Sequence, residues 1–220
     1  MNEKNHELKK IVIIGAGGHG KDVLWTIMDI NKISSRFDII GFLDDDKKLH
    51  GKTINRVPVL GGMNWLSNKN KMGCIIAVGD GKIREKIVKK LKNVNVYFPS
   101  IIHPSVIMSD FVTIGKGTII HAGVMIPPDS EIGNFVFINL RSQIGHDCKI
   151  KDFVSIMAGV NVTGETIIEN GAYLGSGVTV ADKIKIGEWS IIGIGSAIGK
   201  DVKPYSLYLG NPGIFIRKIK

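Results

Sequence analysis

The sequence predicts an α/β, Rossmann-like N-terminal domain followed by a left-handed parallel β-helix built on a hexapeptide repeat. Two observations carry this prediction. Apolar runs alternate with helical patterns through the first hundred residues, and from residue 102 onward an aliphatic residue recurs at every sixth position. We expect the first domain to span residues 1–98, and the β-helix with its C-terminal tail to span 99–220.

The first hundred residues show strands alternating with helices. KKIVIIG predicts a buried strand, GHGKDVLWTIMDI begins a helix, and FDIIGFLDDD predicts a second strand that ends in acids. VPVLGG predicts a third strand, followed by a helix near 63–67, the strand MGCIIAVGD, a helix over about 82–91 and a strand near 94–98. This alternation is typical of a parallel sheet.

A glycine-rich loop joins the first strand to the first helix and satisfies the pattern G-x-G-x-x-G. Its candidate nucleotide-binding residues are Gly15, Gly17, Gly18, His19 and Gly20. Glycines in this place let the backbone approach a diphosphate, and the helix N-terminus offers unpaired N–H groups. Asp44 and Asp45, at the end of the second strand, are placed to accept hydrogen bonds from a ribose or a base. A tight turn without a ligand and a dinucleotide enzyme are the alternatives.

The repeat in the second half runs without interruption. All seventeen residues at every sixth position from Ile102 to Ile198 are apolar, and small or β-branched residues stand two places before them. Each hexad predicts a short strand and a turn, with the aliphatic side chain inside a triangular prism. Three hexads close a coil, so residues 18 apart stack. Glycine often follows the aliphatic residue, and we expect it there to supply the positive φ of the turn. These glycines are Gly115, Gly133, Gly145, Gly175, Gly187, Gly193 and Gly199.

Composition and charge indicate which ligands and which cellular location to expect. The net charge of +9 favours anionic ligands such as the phosphates of a nucleotide and of coenzyme A, whereas no interleaved aromatic residues point to nucleic acid. No apolar run predicts a membrane span, and the charged start MNEKNHELKK does not resemble a signal peptide. Cys74 and Cys148 show no metal-ligand spacing, so we expect a cytoplasmic protein with free thiols and no metal.

The GAGGHGK loop, the FLDDD strand end, the HPS linker and a hexad β-helix containing GHD together resemble the hexapeptide-repeat sugar acyltransferases, over essentially the full length. This family includes enzymes of the sialic acid O-acetyltransferase type and N-acetyltransferases of nucleotide-linked 4-amino-sugars, such as UDP-bacillosamine precursors and GDP-perosamine. The resemblance implies an acetyl-CoA-dependent enzyme of surface-glycan biosynthesis that works as a homotrimer. We expect N-acetylation of a nucleotide-linked amino-sugar; O-acetylation of a sialic-acid-like sugar and a non-catalytic β-helix scaffold are the alternatives.

The resemblance also implies roles for individual residues. His146 matches the catalytic base and Asp147 the acid that orients it, at a turn that should project out of the prism. Gly164, one coil later, matches the glycine whose N–H binds the oxyanion, with a plain turn glycine as the alternative. The residues matched to the acetyl-CoA arm are Ser155, Gly175, Ser176, Gly193 and Ile194. Ser155 replaces a second histidine of several amino-sugar enzymes, which argues against the bacillosamine enzyme specifically.

The other histidines are weaker candidates for chemistry. His6 and His50 lie in polar segments and are expected at the surface. His103, which precedes a proline in the linker, is expected to be structural. His121 occupies a turn position of its hexad, where it either packs or lines the cleft between subunits.

Overall fold

The computed structural model describes residues 8–219, and its N-terminal part is built around one sheet. The strands of this sheet are β1 Lys9–Ile14, β2 Phe37–Leu43, β3 Thr53–Ile54, β4 Val57–Gly61, β5 Met72–Ile76 and β6 Val96–Tyr97. Their order is β3-β4-β2-β1-β5-β6, and all neighbours pair in parallel except β3 and β4. Helix α1 (Gly18–Ile33) follows β1 and helix α2 (Gly81–Lys90) follows β5. Two short 3-10 helices cover Lys47–Leu49 and Met63–Asn68.

The remainder of the described chain is the predicted β-helix, with a two-residue strand in each hexad. In chain order these strands are β7 Ile101–Ile102, β8 Ile107–Met108, β9 Thr113–Ile114, β10 Ile119–Ile120, β11 Met125–Ile126, β12 Glu131–Ile132, β13 Phe137–Ile138, β14 Gln143–Ile144, β15 Lys149–Ile150, β16 Ser155–Ile156, β17 Asn161–Val162, β18 Ile167–Ile168, β19 Tyr173–Leu174, β20 Thr179–Val180, β21 Lys185–Ile186, β22 Ile191–Ile192 and β23 Ala197–Ile198. A terminal hairpin, β24 (Ser206–Leu209) and β25 (Ile214–Lys218), follows.

Every third strand belongs to the same face of the prism. Face 1 contains β7, β10, β13, β16, β19 and β22 and is extended by the hairpin; face 2 runs from β8 to β23, and face 3 from β9 to β21. Residues 18 apart pair in parallel, as Ile138 does with Ile156. The second residue of each strand points inward, and from Ile120 to Ile198 these residues are at most 3% exposed. The hexad repeat therefore produces the fold by burying one aliphatic column along each face.

The turns correct one expectation about glycine. Positive φ occurs at every sixth residue from Gly117 to Gly195, which is three places after the inward aliphatic residue. The glycines directly after that residue have no positive φ. Most of them are required by close stacking instead, because a Cβ at Gly145 would lie 2.5 Å from the Gly164 nitrogen and one at Gly175 would lie 2.8 Å from the Ile194 nitrogen. The predicted turn glycines were thus assigned to the wrong position of the hexad.

This distinction predicts opposite results for two surface glycines. Gly159 has φ +67°, Gly199 lies outside the positive-φ set, and no atom lies within 4 Å of a Cβ built at either position. Gly159→Ala is expected to reduce the free energy of unfolding by about 1–2 kcal/mol, because an L side chain is strained in the left-handed region. Gly199→Ala is the matched control, with a change of at most about 0.5 kcal/mol. Urea unfolding followed by circular dichroism measures both, and equal losses would contradict the assignment.

The three faces of the prism differ in what covers them. The outward residues Ile101, Ile119 and Phe137 of face 1 pack against α1 and the sheet of the N-terminal part in one apolar cluster. Face 3 is charged, with an ion pair between Lys149 and Glu131 at 3.5 Å. The outward residues of face 2, by contrast, carry no charge: they are Ile107, Met125, Gln143, Asn161, Thr179 and Ala197.

No helix among residues 8–219 is both long and apolar enough to cross a membrane.

Candidate active site

His146 projects from the edge between face 2 and face 3, in the turn that joins β14 to β15. Its Nδ1 lies 2.7 Å from an Asp147 carboxylate oxygen, and the two side chains are 61% and 55% exposed. Asp147 occupies the left-handed turn position with φ +57°, a conformation that aspartate tolerates better than most residues. When Nδ1–H donates to Asp147, the tautomer that remains has a free lone pair on Nε2. The pair is therefore arranged as an oriented general base.

Gly164 lies one coil further along, directly beneath the imidazole. A Cβ at this position would lie 2.7 Å from His146 Nε2 and 2.8 Å from Cε1, so only glycine leaves the ring its place. The Gly164 carbonyl accepts a hydrogen bond from the Lys183 amide at 3.0 Å, whereas no hydrogen bond of its own N–H is found within residues 8–219. The base and an available backbone donor thus lie side by side, as acyl transfer requires.

The glycine loop between β1 and α1 contains two kinds of glycine. Gly15 and Gly20 are required by the fold, because a Cβ at Gly15 would lie 2.9 Å from the Ala77 carbonyl oxygen and one at Gly20 would overlap the Gly15 carbonyl. Gly17 and Gly18 face open space, with no atom within 4 Å of a Cβ. Helix α1 begins here without a side-chain cap and without an acid in its first turn. The open glycines and the uncapped helix N-terminus together suit a phosphate.

The two aspartates predicted to bind nucleotide differ in their surroundings. The Asp44 carboxylate accepts hydrogen bonds from the Ala16 amide at 2.8 Å and from the Asp46 amide at 2.9 Å. Asp44 therefore shapes the glycine loop, and both of its oxygens already have protein partners. Asp45 lies beside Gly62 at the mouth of a groove that Trp65 also lines, which leaves it the better placed of the two to contact a ribose or a base.

Four of the five residues matched to the acetyl-CoA arm lie at one edge of the prism, away from His146. Gly175 and Ser176 follow β19, and Gly193 and Ile194 follow β22, so all four occupy the edge between face 1 and face 2. Within one chain this edge is separated from His146 by the width of face 2. Ile194 is 79% exposed and free to contact a ligand.

Ser155 departs from the expectation that it contacts acetyl-CoA. It is 1% exposed, on face 1 beneath the N-terminal part. Its hydroxyl donates to the Gly79 carbonyl at 2.7 Å and accepts from Arg84 at 3.0 Å. A hydroxyl with both functions satisfied inside a packed interface is not available to a ligand. The assignment of Ser155 to the acetyl-CoA arm is therefore wrong for this structure, because the side chain points at α2 and the loop before it.

Three other histidines lie where the N-terminal part meets face 1. His121 is fully buried, with Nδ1 2.9 Å from the Thr26 hydroxyl and its ring 5.2 Å from that of Phe137, so it packs rather than lining a cleft. Burial lowers the pKa of His121 to about 4. His103 bonds to Asp29 at 3.0 Å and is structural.

His19, in the glycine loop, is half-buried, and its ring lies 4.8 Å from that of Phe137. Burial is the main cause that lowers its pKa. His50 is exposed and its Nε2 lies 2.8 Å from the Asp44 carbonyl oxygen, whereas His6 lies outside the described residues.

Arg84 is the buried polar residue that the sequence pattern did not reveal. It is 2% exposed on the inner side of α2, although its helix otherwise presents lysines to solvent. A signal was present in the sequence: the outward residues of face 1 run Ile101, Ile119, Phe137 and then change abruptly to Ser155. A polar residue in an apolar column requires a polar partner.

Among the described residues, no cluster of three or more His, Cys, Asp or Glu side chains is arranged to hold a metal ion.

Comparison with known proteins agrees with this geometry. Residues 10–91 match the family described as PglD N-terminal domain. The acetyltransferase domain of PglB from Neisseria gonorrhoeae FA1090, solved in complex with acetyl coenzyme A, is 28% identical with a TM-score of 0.88, over 96% of this chain and all of that one. The N-terminal part thus matches the PglD N-terminal domain family, and the chain as a whole is similar to a solved acetyltransferase domain.

Two further relatives are N-acetyltransferases by name. A mutant of perosamine N-acetyltransferase from Caulobacter crescentus, in complex with CoA and GDP-perosamine, is 26% identical with a TM-score of 0.87, over 96% of this chain and 99% of that one. UDP-N-acetylbacillosamine N-acetyltransferase of Bacillus subtilis (strain 168) is 31% identical over 122 residues. That match spans 50% of this chain and 50% of the relative.

Proposed function

We propose that this chain is an acetyl-CoA-dependent N-acetyltransferase acting on the amino group of a nucleotide-linked 4-amino-sugar in surface-glycan biosynthesis. The observation that carries the proposal is the presence, in one chain, of a phosphate-type glycine loop and of an imidazole oriented by Asp147 above Gly164. The relatives bound to GDP-perosamine and CoA, or to acetyl coenzyme A, support the choice of both substrates.

The chemistry follows from the geometry of His146. Nε2 accepts a proton from the sugar amine as the amine nitrogen attacks the thioester carbonyl carbon. The oxyanion of the tetrahedral adduct accepts a hydrogen bond from the Gly164 N–H, and Asp147 stabilises the imidazolium. The carbon–sulfur bond then breaks, and the imidazolium proton neutralises the CoA thiolate. The products are the N-acetylated sugar and CoA.

The domains serve the two substrates separately in this proposal. Residues 1–98 hold the nucleotide through Gly15, Gly17, Gly18, His19 and Gly20 with Asp45, and residues 99–220 supply the base and the acetyl-CoA site. In the prism, however, the edge that carries His146 lies opposite face 1, which the N-terminal part covers. A sugar held by the glycine loop therefore reaches the His146 of a neighbouring copy and not that of its own chain.

We accordingly propose a homotrimer with the site between prisms. The uncharged outward residues of face 2 and a groove of about 580 Å³ along it, from Ile107 to Gly164, suit contact with a second prism and an acetyl-CoA arm. We also propose a cytoplasmic location, which agrees with Cys74 and Cys148 being free, buried thiols.

Nucleotide binding is tested by thermal shift with UDP-, dTDP-, GDP- and CMP-sugars. One nucleotide class is expected to raise Tm by several degrees, since binding to the folded state alone stabilises it by about 2.7 kcal/mol at 100 times Kd. Gly17→Asp is the matched variant: aspartate favours the N-cap position of α1 and has room there, but its charge repels a diphosphate. It should keep the ligand-free Tm and lose the shift.

Two results would contradict the proposed function. If no nucleotide-sugar shifts the wild type, the glycine loop is not a nucleotide site. The reaction itself is measured as CoA thiol release with the 4-amino-sugar of the nucleotide class that binds. Release with a hydroxyl acceptor but not with the amine would indicate O-acetylation instead.

A further inference from the structure

Arg84 forms the most extensive polar contact between α2 and the β-helix. Its guanidinium donates to the carbonyls of Phe135 at 3.0 Å, Phe153 at 2.8 Å and Val154 at 2.9 Å. The two Phe carbonyls belong to left-handed turns at the edge between face 3 and face 1. They are 18 residues apart, so Arg84 spans one complete coil of the prism, and that coil contains His146.

The same guanidinium also holds the loop that precedes α2. It donates to the carbonyl of Val78 at 2.8 Å and to that of Gly79 at 3.0 Å. Ser155 completes the arrangement, because its hydroxyl donates to the Gly79 carbonyl and accepts from Arg84. We call Arg84, Ser155 and Gly79 the Arg84 junction. No carboxylate hydrogen-bonds or ion-pairs with this guanidinium among residues 8–219, so carbonyl dipoles and one hydroxyl satisfy the buried cation.

The Arg84 junction is in direct contact with the glycine loop. A Cβ at Gly79 would lie 2.7 Å from Nε2 of His19, so the ring of the predicted nucleotide-binding histidine rests on Gly79 itself. Next to it, the Ala77 carbonyl packs against Gly15. An uninterrupted series of contacts therefore joins the coil that carries the base to the loop predicted to hold the phosphate.

We propose that Arg84 and Ser155 are positioning residues for acetyl transfer, fixing the glycine loop at a set height along the prism relative to the coil of His146. The inference rests on the proposed function. In a symmetric trimer all prisms stand at the same height, so a loop fixed to its own coil is also fixed relative to the neighbouring copy's base. The amine and the thioester carbon must approach to about 3–3.5 Å, and a misplacement of about 1 Å costs about 10²-fold in rate.

The test compares three variants. Ser155→Ala removes one partner of Arg84 and one of Gly79 and is expected to lower kcat about 10-fold, with the Kd of CoA and of the best-binding free nucleoside diphosphate unchanged. Arg84→Lys keeps the charge but loses the planar fork, and is expected to lower kcat by about 10². Ser142→Ala is the matched control, because Ser142 is equally buried and bonds only within the β-helix, to the Met157 carbonyl at 2.9 Å. It should keep the wild-type kcat.

Two kinetic outcomes would overturn the proposal. A raised KM for acetyl-CoA at unchanged kcat in Ser155→Ala would make Ser155 a co-substrate contact. A lowered Tm with kcat and both KM values unchanged would make the junction structural only. A second measurement does not depend on catalysis: amide hydrogen exchange in residues 78–81 should be faster in Ser155→Ala than in Ser142→Ala. If the wild type transfers no acetyl group to any amino-sugar, the proposed function fails. The exchange measurement still tests the Arg84 junction in that case, and equal exchange rates in Ser155→Ala and Ser142→Ala would reject it.

Discussion

Replacing His146 with alanine is expected to lower kcat by about 10²–10⁴, the usual contribution of a positioned general base. The reason is specific to the geometry. Nδ1 is held by Asp147 at 2.7 Å, the ring projects from the prism edge at 61% exposure, and among residues 8–219 the hydrogen bond of the imidazole is the one at Nδ1. Steady-state release of the CoA thiol with the binding nucleotide amino-sugar measures the effect.

The His146 variant has a simple control. The side chain is exposed and makes one hydrogen bond, so its loss should leave Tm within a few degrees of the wild type. The affinity for CoA, measured by calorimetry, should also be retained. Wild-type turnover in His146→Ala would refute the role of base, whereas loss of turnover together with folding would leave the variant uninformative and call for His146→Asn, which keeps most of the volume.

Gly164→Ala is expected to reduce kcat by about 10², although it adds a single methyl group. That methyl would lie 2.7 Å from His146 Nε2, so the imidazole must move by about 1 Å, which is the displacement associated with such a loss. The backbone itself accepts alanine at this turn position, because Ala122 and Ala158 occupy the equivalent place in other coils. Circular dichroism and Tm should therefore change little while kcat falls.

A double variant separates this cause from a general disturbance. In a His146→Ala background no imidazole remains to be displaced, so adding Gly164→Ala should cost little more. Strictly additive losses would show that the methyl acts in another way, for example by blocking the Gly164 N–H from the oxyanion. The quantity measured is the effect of Gly164→Ala on the free energy of activation in the wild type minus its effect in the His146→Ala background.

The β-helix was predictable because a single physical requirement repeats. One inward aliphatic residue for each strand is legible in a linear sequence, and no insertion interrupts the spacing from Ile102 to Ile198. The outward direction of His146 and the position of Gly164 below it follow from the same period. The turn conformations were harder to predict, because glycine serves two purposes in this prism: close stacking at Gly145 and positive φ at Gly159. The sequence shows a glycine in either case and does not distinguish the two purposes.

Contacts between the two parts of the chain were not predictable from periodicity. Arg84 lies in a lysine-rich helix whose pattern indicates a solvated surface, and only the coil stacking brings the carbonyls of Phe135 and Phe153 to its guanidinium. Asp44 is predicted to bind a ribose or a base, yet its carboxylate accepts a hydrogen bond from the Ala16 amide. For both Arg84 and Asp44 the partner is a backbone group, and a pattern of side chains does not indicate backbone partners.

The stacking of residues 18 apart constrains how a chain of this type changes in length during evolution. Loss or gain of six residues after Ile156 would turn every later strand onto the next face, and Gly193 and Ile194 would leave their edge. A change of eighteen residues removes or adds one complete coil, and every later strand stays on its face. Such prisms are therefore expected to vary in height by complete coils, with the hairpin β24–β25 carried along unchanged at the end.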